Sequence, residues 1–384
     1  MNIVVLRETQ AGEARVALMP ESVKKLIALK AAVQVESDAG LSAARTDDDY
    51  REVGAEVSAD REALLAAADI LVVVNRPAAE DFTRLRSGAV VLGFLRSLDE
   101  PAALLPALNQ GLTTFSVELI PRITRAQAMD ALSSMATVAG YKAVLVGASL
   151  IPRMFPLLMT AAGTVPPARV LVLGAGVAGL QAIATARRLG AVVEGYDVRA
   201  AAGEQVRSLG ATFLEVDLGG IKTEDAGGYA VELSDEAMNR GRALIAEHAK
   251  TADVIITTAQ VPGRRAPLLI TEAAVNGMKR GSVIIDLAGA TGGNCALSKA
   301  DQTVERNGVT ILAPTNLPAT VPVHASQLYS RNVTAFLSLL IKEGSLNIDM
   351  NDDVVGPSCV THNGEVVNKR VAGALEASGS AGRV

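Results

Sequence analysis

Three glycines, Gly174, Gly176 and Gly179, stand at the spacing G-x-G-x-x-G within VLVLGAGVAGLQAIATARRLG. They follow an apolar run typical of a strand and precede a stretch with helical periodicity. In such a turn the first glycine permits a tight bend, the second lets a pyrophosphate approach the backbone, and the third lets helix and strand pack closely. The helix N-terminus then attracts the phosphates through its unpaired N–H groups and its dipole. The motif predicts a dinucleotide site, and close packing without a ligand is the alternative.

An acidic residue follows at the distance such a site requires. Asp197 ends the next predicted strand, AVVEGYD, eighteen residues after Gly179, close to the roughly 20 residues expected for the acid that binds the adenosine ribose. Because a carboxylate repels a 2′-phosphate, the sequence favours NAD(H) over NADP(H). Arg199 leaves some doubt, since it is either a partner for such a phosphate or a solvated charge at the sheet end.

Two further segments of the same half of the chain are candidates for nucleotide contacts. The polar, glycine-rich stretch 217–236 is longer than ordinary connections and has one large side chain, Tyr229. Such a stretch either closes over a bound ligand or is an insertion without a ligand. After the fourth predicted strand of this half, Thr258 and Ala259 stand at a carboxyl end, where doubly wound sheets bind ligands. Ordinary turn residues also occupy such ends.

The elements that must position these residues form two series of alternating strands and helices. The first series runs from NIVVLRE to GLTTFSVELIP and the second from RVLVLGAG to GVTILAP. Such alternation predicts parallel βαβ units rather than a sandwich. We therefore expect an α/β fold with two Rossmann-like, doubly wound parallel-sheet domains, joined by a long helix and with a cleft between them.

The domain boundaries follow from the point where the second series is complete. Its six predicted strands end before His324, so the remaining helix and a hairpin with an Asn-Gly turn are expected to return to the first domain. The first domain is thus predicted at 1–131 plus about 325–384, and the nucleotide-binding Rossmann domain at 132–324.

Composition and charge exclude several classes of protein. The net charge is −5 and no Lys/Arg cluster is interleaved with aromatic residues, so we expect no nucleic-acid partner. Cys295 and Cys359 lie far apart without a CxxC motif or Cys/His cluster, which predicts reduced thiols and no metal site.

The sequence also predicts where the protein resides. The first apolar run ends at Arg7, too early for a signal peptide, so we expect a cytoplasmic protein. The uncharged segment 170–186 has three glycines and falls short of the ~20 apolar residues that cross a bilayer. It predicts a strand, a turn and a helix instead.

Long segments of the chain resemble the NAD(H)-binding component of proton-translocating NAD(P) transhydrogenases, relatives of the alanine dehydrogenases. They are RVALMPESVKKL, PRITRAQAMDALSS, MTAAGTVPPARVLVLGAGVAGLQAIATARRLGA, DVRA and GSVIIDLAGATGGNC. The resemblance implies that this chain binds NAD(H), that a partner subunit binds NADP(H), and that a membrane-spanning subunit moves protons. It also implies a homodimer in the cytoplasm, held peripherally at the inner membrane by those partners.

The resemblance also assigns PRITRAQAMDALSS to the nicotinamide pocket. Polar residues of the family match four residues of this chain: Arg122, Gln127, Asp130 and Ser133. The residue types agree in part, since Arg122 and Asp130 can pair and Gln127 has donors and an acceptor for a carboxamide. Without the resemblance, these residues are interpreted as helix caps and an ion pair.

The resemblance favours Tyr229 as a nucleotide contact, because the family has a mobile loop with a tyrosine. The complete set of expected cofactor contacts is Gly174, Gly176, Val177, Ala178, Gly179, Asp197, Val198, Arg199, Tyr229, Thr258 and Ala259.

This chain departs from alanine dehydrogenases at the substrate. That family uses a lysine and a histidine where this chain has Val73 and Phe94, and neither side chain binds a carboxylate or moves a proton. Arg15, which meets the substrate carboxylate in that family, is retained, and we expect it in a salt bridge or cap. Hydride transfer between nicotinamides needs orientation rather than a base, so the departure favours a transhydrogenase. An amino-acid dehydrogenase and an NAD-sensing module without catalysis remain alternatives.

Overall fold

The computed structural model describes residues 1–216, 234–261 and 263–378, and the chain forms two compact units. The first unit comprises Met1–Met135 with the described residues from Pro318, and the second comprises Ala136–Leu317. Each unit is built on a sheet dominated by parallel strands, which confirms the α/β prediction.

Up to Met135 the chain alternates short strands with short helices. The strands are β1 (Asn2–Val5), β2 (Ala32–Glu36), β3 (Glu56–Ser58), β4 (Ile70–Asn75), β5 (Val90–Phe94) and β6 (Thr113–Ser116). The helices are α1 (Pro20–Ala28), α2 (Asp47–Glu52), α3 (Arg61–Ala67), α4 (Ala79–Arg84) and α5 (Leu105–Asn109), with 3₁₀ turns at Leu41–Ala43, Pro101–Leu104, Val117–Leu119 and Thr124–Met129. The sequence ILVV of β4 is buried throughout, as in a parallel strand covered on both faces.

The second unit contains most of the long helix α6 (Ala131–Leu150), which begins in the first unit. The strands that follow are β7 (Leu158–Thr160), β8 (Gly163–Val165), β9 (Arg169–Leu173), β10 (Val192–Tyr196), β11 (Thr212–Leu214), β12 (Val254–Thr257), β13 (Val283–Asp286), β14 (Thr303–Arg306) and β15 (Val309–Leu312). The helices are α7 (Val177–Arg188), α8 (Ala202–Ser208), α9 (Asp235–Ala249) and α10 (Glu272–Asn276), with a 3₁₀ turn at Gly289–Thr291.

The second sheet has the order β11-β10-β9-β12-β13-β15-β14. Alternate residues of β9 enter different cores, with Val170 and Val172 on one face and Leu171 and Leu173 on the other. Helix α7 packs on the first face and α9 on the second, as a doubly wound sheet requires. The chain turns from β10 on one side of β9 to β12 on the other, and the carboxyl end of β9 is therefore the switch point where such sheets bind ligands.

Strand β14 was not among the six strands predicted for this sheet. It pairs antiparallel with β15 at the sheet edge through the two-residue turn Asn307-Gly308, where both φ angles are positive, 54° and 78°. The run TVER is short and mostly exposed, so it lacks the apolar signal on which the prediction depended. The Asn-Gly pair was the signal that could have revealed it.

The described residues from Pro318 complete the first unit. They form a 3₁₀ turn at Leu317–Thr320, the helices α11 (Pro322–Leu340), α12 (Val355–Ser358) and α13 (Lys369–Ala377), and the strands β16 (Ile341–Lys342), β17 (Ser345–Leu346), β18 (Cys359–His362) and β19 (Glu365–Val366). The first sheet has the order β19-β18-β6-β5-β4-β1-β2-β3, with β18 antiparallel to β6. The predicted hairpin is confirmed, since Asn363 and Gly364 link β18 to β19 with φ values of 51° and 79°.

The segment 170–186 forms β9, a turn and the first part of α7, as predicted. Within the described residues, α6 alone is long and apolar enough to cross a membrane by length and composition, a test that core helices of soluble proteins also pass.

Candidate dinucleotide-binding site

The glycine turn at the end of β9 is built so that two of its glycines cannot be replaced. Gly174 has φ +98°, a left-handed conformation, and a Cβ there would lie 2.5 Å from Thr258 Oγ1. A Cβ at Gly179 would collide with the carbonyl oxygen of Gly174. These two glycines therefore let the turn close on itself and α7 pack against it.

Gly176 differs from both, because a Cβ added there would meet nothing within 4 Å. It is exposed and precedes the first residue of α7, in an extended conformation and without a side-chain cap. The first N–H groups of a helix lack partners within the helix. The open space at Gly176 thus lies where the N-terminus of α7, with the exposed Val177 and the half-buried Ala178, presents a positive dipole end.

Helix α6 approaches this turn through Gly140, a residue that the sequence analysis did not single out. A Cβ at Gly140 would collide with the carbonyl oxygen of Ala178. The close approach of the two helices therefore supports the first turn of α7 from behind.

Asp197 lies beside the glycine turn, 9% exposed. Its Oδ2 accepts a hydrogen bond from the N–H of Ala175 at 2.7 Å, which ties the end of β10 to the turn. Arg199 donates to the same carboxylate from its backbone N–H, from Nε and from Nη2, each at 2.9 Å. The acid is thus in the expected place but already paired with a cation, and the half-buried Val198 separates the two residues.

Thr258 and Ala259 reach the same turn from the end of β12. Thr258 Oγ1 donates to the carbonyl oxygen of Gly174 at 3.1 Å. Ala259 is held through both its backbone groups by the side chain of Asn294, at 3.1 Å and 2.9 Å. The structure therefore brings the predicted glycines, Asp197, Thr258 and Ala259 together at one edge of the sheet. Tyr229 lies outside the described residues.

The second predicted cluster lies in the segment before α6. Arg122 and Gln127 are exposed, and Gln127 belongs to the 3₁₀ turn Thr124–Met129. Asp130 accepts hydrogen bonds from the N–H of Ser133 at 2.8 Å and from its Oγ at 2.6 Å. Asp130 and Ser133 thus form a cap on the first turn of α6, which is the arrangement expected from the residue types without the resemblance.

This 3₁₀ turn is held by residues that the sequence analysis did not identify. Asn332 of α11 donates from Nδ2 to the carbonyl oxygen of Ala128 at 2.9 Å. Its buried Oδ1 has no hydrogen-bond partner. Arg125 pairs with Asp352 at 2.6 Å and also with Asp353. The turn is therefore fixed to its own unit at both faces, while Gln127 stays exposed.

The positions that differ from alanine dehydrogenases are apolar and packed. The carbonyl oxygen of Val73, in β4, accepts a 2.6 Å hydrogen bond from the hydroxyl of Tyr329. The ring of Phe94 stacks on that of Tyr329 with centroids 5.4 Å apart. Arg15 forms the expected salt bridge, with Nε and Nη2 at 2.7 Å and 2.6 Å from the two carboxylate oxygens of Glu13.

A buried polar cluster beside this salt bridge was not predicted. Glu8 accepts from the N–H of Val74 at 2.6 Å and from that of Asn75 at 3.3 Å, and Asn75 Nδ2 donates to Glu13 at 2.8 Å. Burial raises the pKa of Glu8 to about 7, although the two amides oppose the shift. Burial acts on Glu13 in the same sense, but its hydrogen bonds and charge interaction with Arg15 lower its pKa to about 2.

Comparisons with known proteins confirm the resemblance found in the sequence. The N-terminal domain of the alanine dehydrogenase/PNT family matches residues 4–139, and the C-terminal domain of that family matches residues 143–369. A protein of Rhodospirillum rubrum that is named as NAD(P) transhydrogenase subunit alpha is 46% identical, over 97% of this chain and 99% of its own length.

Two solved structures share the fold over almost their whole length. The transhydrogenase from Sinorhizobium meliloti has a TM-score of 0.87 at 43% identity and covers 95% of this chain and 100% of its own. An L-alanine dehydrogenase has a TM-score of 0.82 at 25% identity, with 98% and 99% covered. With both family domains matched along its length, the chain belongs to the alanine dehydrogenase/PNT family.

Proposed function

We propose that this chain is the NAD(H)-binding component of a proton-translocating transhydrogenase. It exchanges hydride between its own NAD(H) and NADP(H) held by a partner subunit, and a membrane-spanning subunit couples this exchange to proton movement. The observation that carries the proposal is the glycine turn at the switch point of the second sheet, with open space at Gly176 and a carboxylate at Asp197. The relatives named transhydrogenase support the choice of reaction.

The residues of the turn fit a dinucleotide. The pyrophosphate lies against the N-terminus of α7 in the space beside Gly176, where the helix dipole stabilises its charge. Asp197 accepts hydrogen bonds from the adenosine ribose. Since a carboxylate accepts about four hydrogen bonds and Asp197 already accepts three from Arg199 and one from Ala175, the ribose replaces part of the Arg199 contact. Val198, Thr258 and Ala259 complete the expected walls of this site.

The nicotinamide carries the hydride, and the chain orients and shields it. In the proposed complex Arg122, Gln127, Asp130 and Ser133 line the nicotinamide pocket, with exposed Gln127 directed to the carboxamide. The cap between Asp130 and Ser133 keeps the start of α6 rigid beside it. Tyr229 is proposed as a nucleotide contact from the resemblance alone.

The alanine dehydrogenase alternative lacks the groups its chemistry needs. Val73 and Phe94 have no proton to give or accept, and Arg15 is engaged by a buried carboxylate of Glu13. These observations disfavour an amino-acid substrate in the first unit.

The proposed complex contains two copies of this chain. Exposed apolar side chains support an interface at the hairpin β7–β8 and the segment before it: Met154, Leu157, Met159 and Val165. Met159 is 80% exposed, and exposed apolar patches of this kind mark protein interaction sites. Sedimentation of the wild type and of Met159→Asp tests the assignment, and a monomeric wild type contradicts it. The partner subunits hold the dimer at the cytoplasmic side of the inner membrane.

The test of the function is hydride exchange between NADH and an NADP⁺ analogue. The purified chain is assayed alone and mixed with an isolated NADP(H)-binding domain of a transhydrogenase, and we expect exchange only in the mixture. Reduction of NAD⁺ by the chain with L-alanine would instead identify an amino-acid dehydrogenase. NADH binding without exchange in the mixture would identify an NAD-sensing module.

A further inference from the structure

We propose that Asp286 and Asn294 are positioning residues of the dinucleotide site, acting on the glycine turn through Ala259 and Thr258. This inference rests on the NAD(H) site proposed above and extends it to residues that the glycine motif does not include. Both side chains are fully buried in the second unit.

Asp286 ends β13 and organises the loop that follows. Its carboxylate accepts five hydrogen bonds, from Thr257 Oγ1 at 2.8 Å, Ala288 N at 3.0 Å, Asn294 N at 2.8 Å, Cys295 N at 3.0 Å and Ser298 Oγ at 2.5 Å. A buried carboxylate is costly unless donors surround it, and here both oxygens are satisfied. An asparagine would turn an NH₂ group toward these donors. The acid therefore folds residues 287–298 around the strand end.

Two glycines of the loop permit this wrapping. Gly292 and Gly293 have φ values of +98° and +78°, and a Cβ at Gly293 would lie 2.8 Å from Asp286 Oδ2. The loop is thus shaped to bring Asn294 to a fixed place beside the end of β12.

Asn294 then holds the segment that follows β12. Its Oδ1 accepts from the N–H of Ala259 at 3.1 Å, and its Nδ2 donates to the carbonyl oxygens of Ala259 at 2.9 Å and of Pro267 at 2.8 Å. Because it pairs with both backbone groups of Ala259, the side chain acts as a neighbouring strand would. Ala259 is fixed in this way beyond the last residue of β12.

Ala259 and its neighbour form the wall of the glycine turn. The N–H nitrogen of Ala259 lies 3.2 Å from the position of a Cβ at Gly174, and Thr258 Oγ1 donates to the Gly174 carbonyl oxygen at 3.1 Å. A shift of Ala259 therefore releases the turn that receives the pyrophosphate. The contacts run without a gap from Asp286 to Asn294, Ala259 and Gly174.

The deciding variant is Asn294→Ala in the full chain. We expect the Kd for NADH to rise about tenfold, the effect of losing one or two buried hydrogen bonds. The affinity for ADP-ribose falls in parallel, whereas that for adenosine, which lacks the pyrophosphate, is kept. In the nucleotide-free protein, amide hydrogen exchange at 173–179 becomes faster.

Ser282→Ala is the matched control, because it removes a buried hydrogen bond to Ala252 at the opposite end of β13. It is expected to lower the melting temperature while leaving NADH affinity and exchange at 173–179 unchanged. Asp286→Asn is expected to act like Asn294→Ala. If Asp286→Asn does not fold, Asn294→Ala and Asn294→Asp decide.

Wild-type NADH affinity and wild-type exchange rates in Asn294→Ala would overturn the inference. If the wild-type chain itself binds no NADH, the proposed function fails. The exchange measurement then still judges the positioning role: faster exchange at 173–179 supports it, and unchanged exchange overturns it.

Discussion

Arg199 and Asp197 form a bidentate ion pair beside the glycine turn, with Nε and Nη2 each 2.9 Å from a different carboxylate oxygen. Both side chains are largely buried, so the pair is held more firmly than a surface salt bridge. The acid that selects against a 2′-phosphate and the cation that could attract one are therefore parts of one unit. Removing either residue exposes the charge of the other.

Opposite changes in cofactor preference are expected from the two deletions. Asp197→Ala removes the ribose acceptor and frees the guanidinium, so the Kd for NADH rises about tenfold and that for NADPH falls. Arg199→Ala leaves an uncompensated carboxylate, so the preference for NADH over NADPH increases. Titration of both nucleotides by fluorescence measures the effect, with the exposed Glu204→Ala as control. A shift in the same direction for both variants would contradict this account of the pair.

The glycines separate binding from folding. Gly176→Ala places a methyl group in open space at an ordinary φ of −78°, so the melting temperature stays close to that of the wild type. The same methyl group occupies the proposed pyrophosphate position, and the Kd for NADH rises at least about tenfold. Gly179→Ala instead lowers the melting temperature, because its Cβ collides with the Gly174 carbonyl oxygen.

The control for this pair is Gly373→Ala in α13, which also adds a methyl group in open space. It should stabilise the helix by up to about 1 kcal/mol and leave NADH affinity unchanged. A Gly176→Ala protein with wild-type affinity would remove the pyrophosphate from this position.

Sequence alone could predict the parts of the site that one βαβ unit encodes. Gly174 and Asp197 lie in consecutive strand ends, so their spacing along the chain reports their proximity in space. Asp286 and Glu8 could not be assigned in this way. Asp286 receives a hydrogen bond from Thr257, 29 positions away, and Glu8 from Val74, 66 positions away. Apolar periodicity shows which strands are buried, but it carries no information on which polar groups meet at their ends.

Gln127 tests the proposed nicotinamide pocket. Its side chain is exposed in the nucleotide-free chain, so Gln127→Ala leaves the melting temperature unchanged. If it orients the carboxamide, hydride exchange in the mixture with an NADP(H)-binding domain falls at least about tenfold, because misorientation is costly at the transfer step. The NADH Kd changes little, since the adenosine and pyrophosphate contacts are kept. Thr124→Ala, an exposed neighbour in the same 3₁₀ turn, is the control, and equal rates in the two variants would exclude this role.

Glu8 makes the stability of the first unit depend on pH in a direction opposite to that of most carboxylates. Burial raises its folded-state pKa to about 7, above its ordinary value of 4.5. The folded chain therefore holds a proton that the unfolded chain has lost between pH 4.5 and 7, and this group's contribution to stability, complete below pH 4.5, is lost as the pH rises through 7. Glu13, whose folded-state pKa is about 2, contributes in the opposite sense, and its contribution is lost only as the pH falls from 4.5 toward 2.

Glu8→Gln isolates this effect, because glutamine keeps the shape of the side chain and cannot ionise. Its free energy of unfolding relative to the wild type should increase by about 2 kcal/mol between about pH 5 and about pH 8, the order expected for a shift of this size in a buried group. Urea unfolding of both proteins at each pH gives the difference. Glu343→Gln, at an exposed salt bridge with Lys30, serves as control and should show no such trend. A difference between Glu8→Gln and the wild type that stays constant with pH would mean that Glu8 is ionised in the folded chain throughout this range, with the amides of Val74 and Asn75 outweighing its burial.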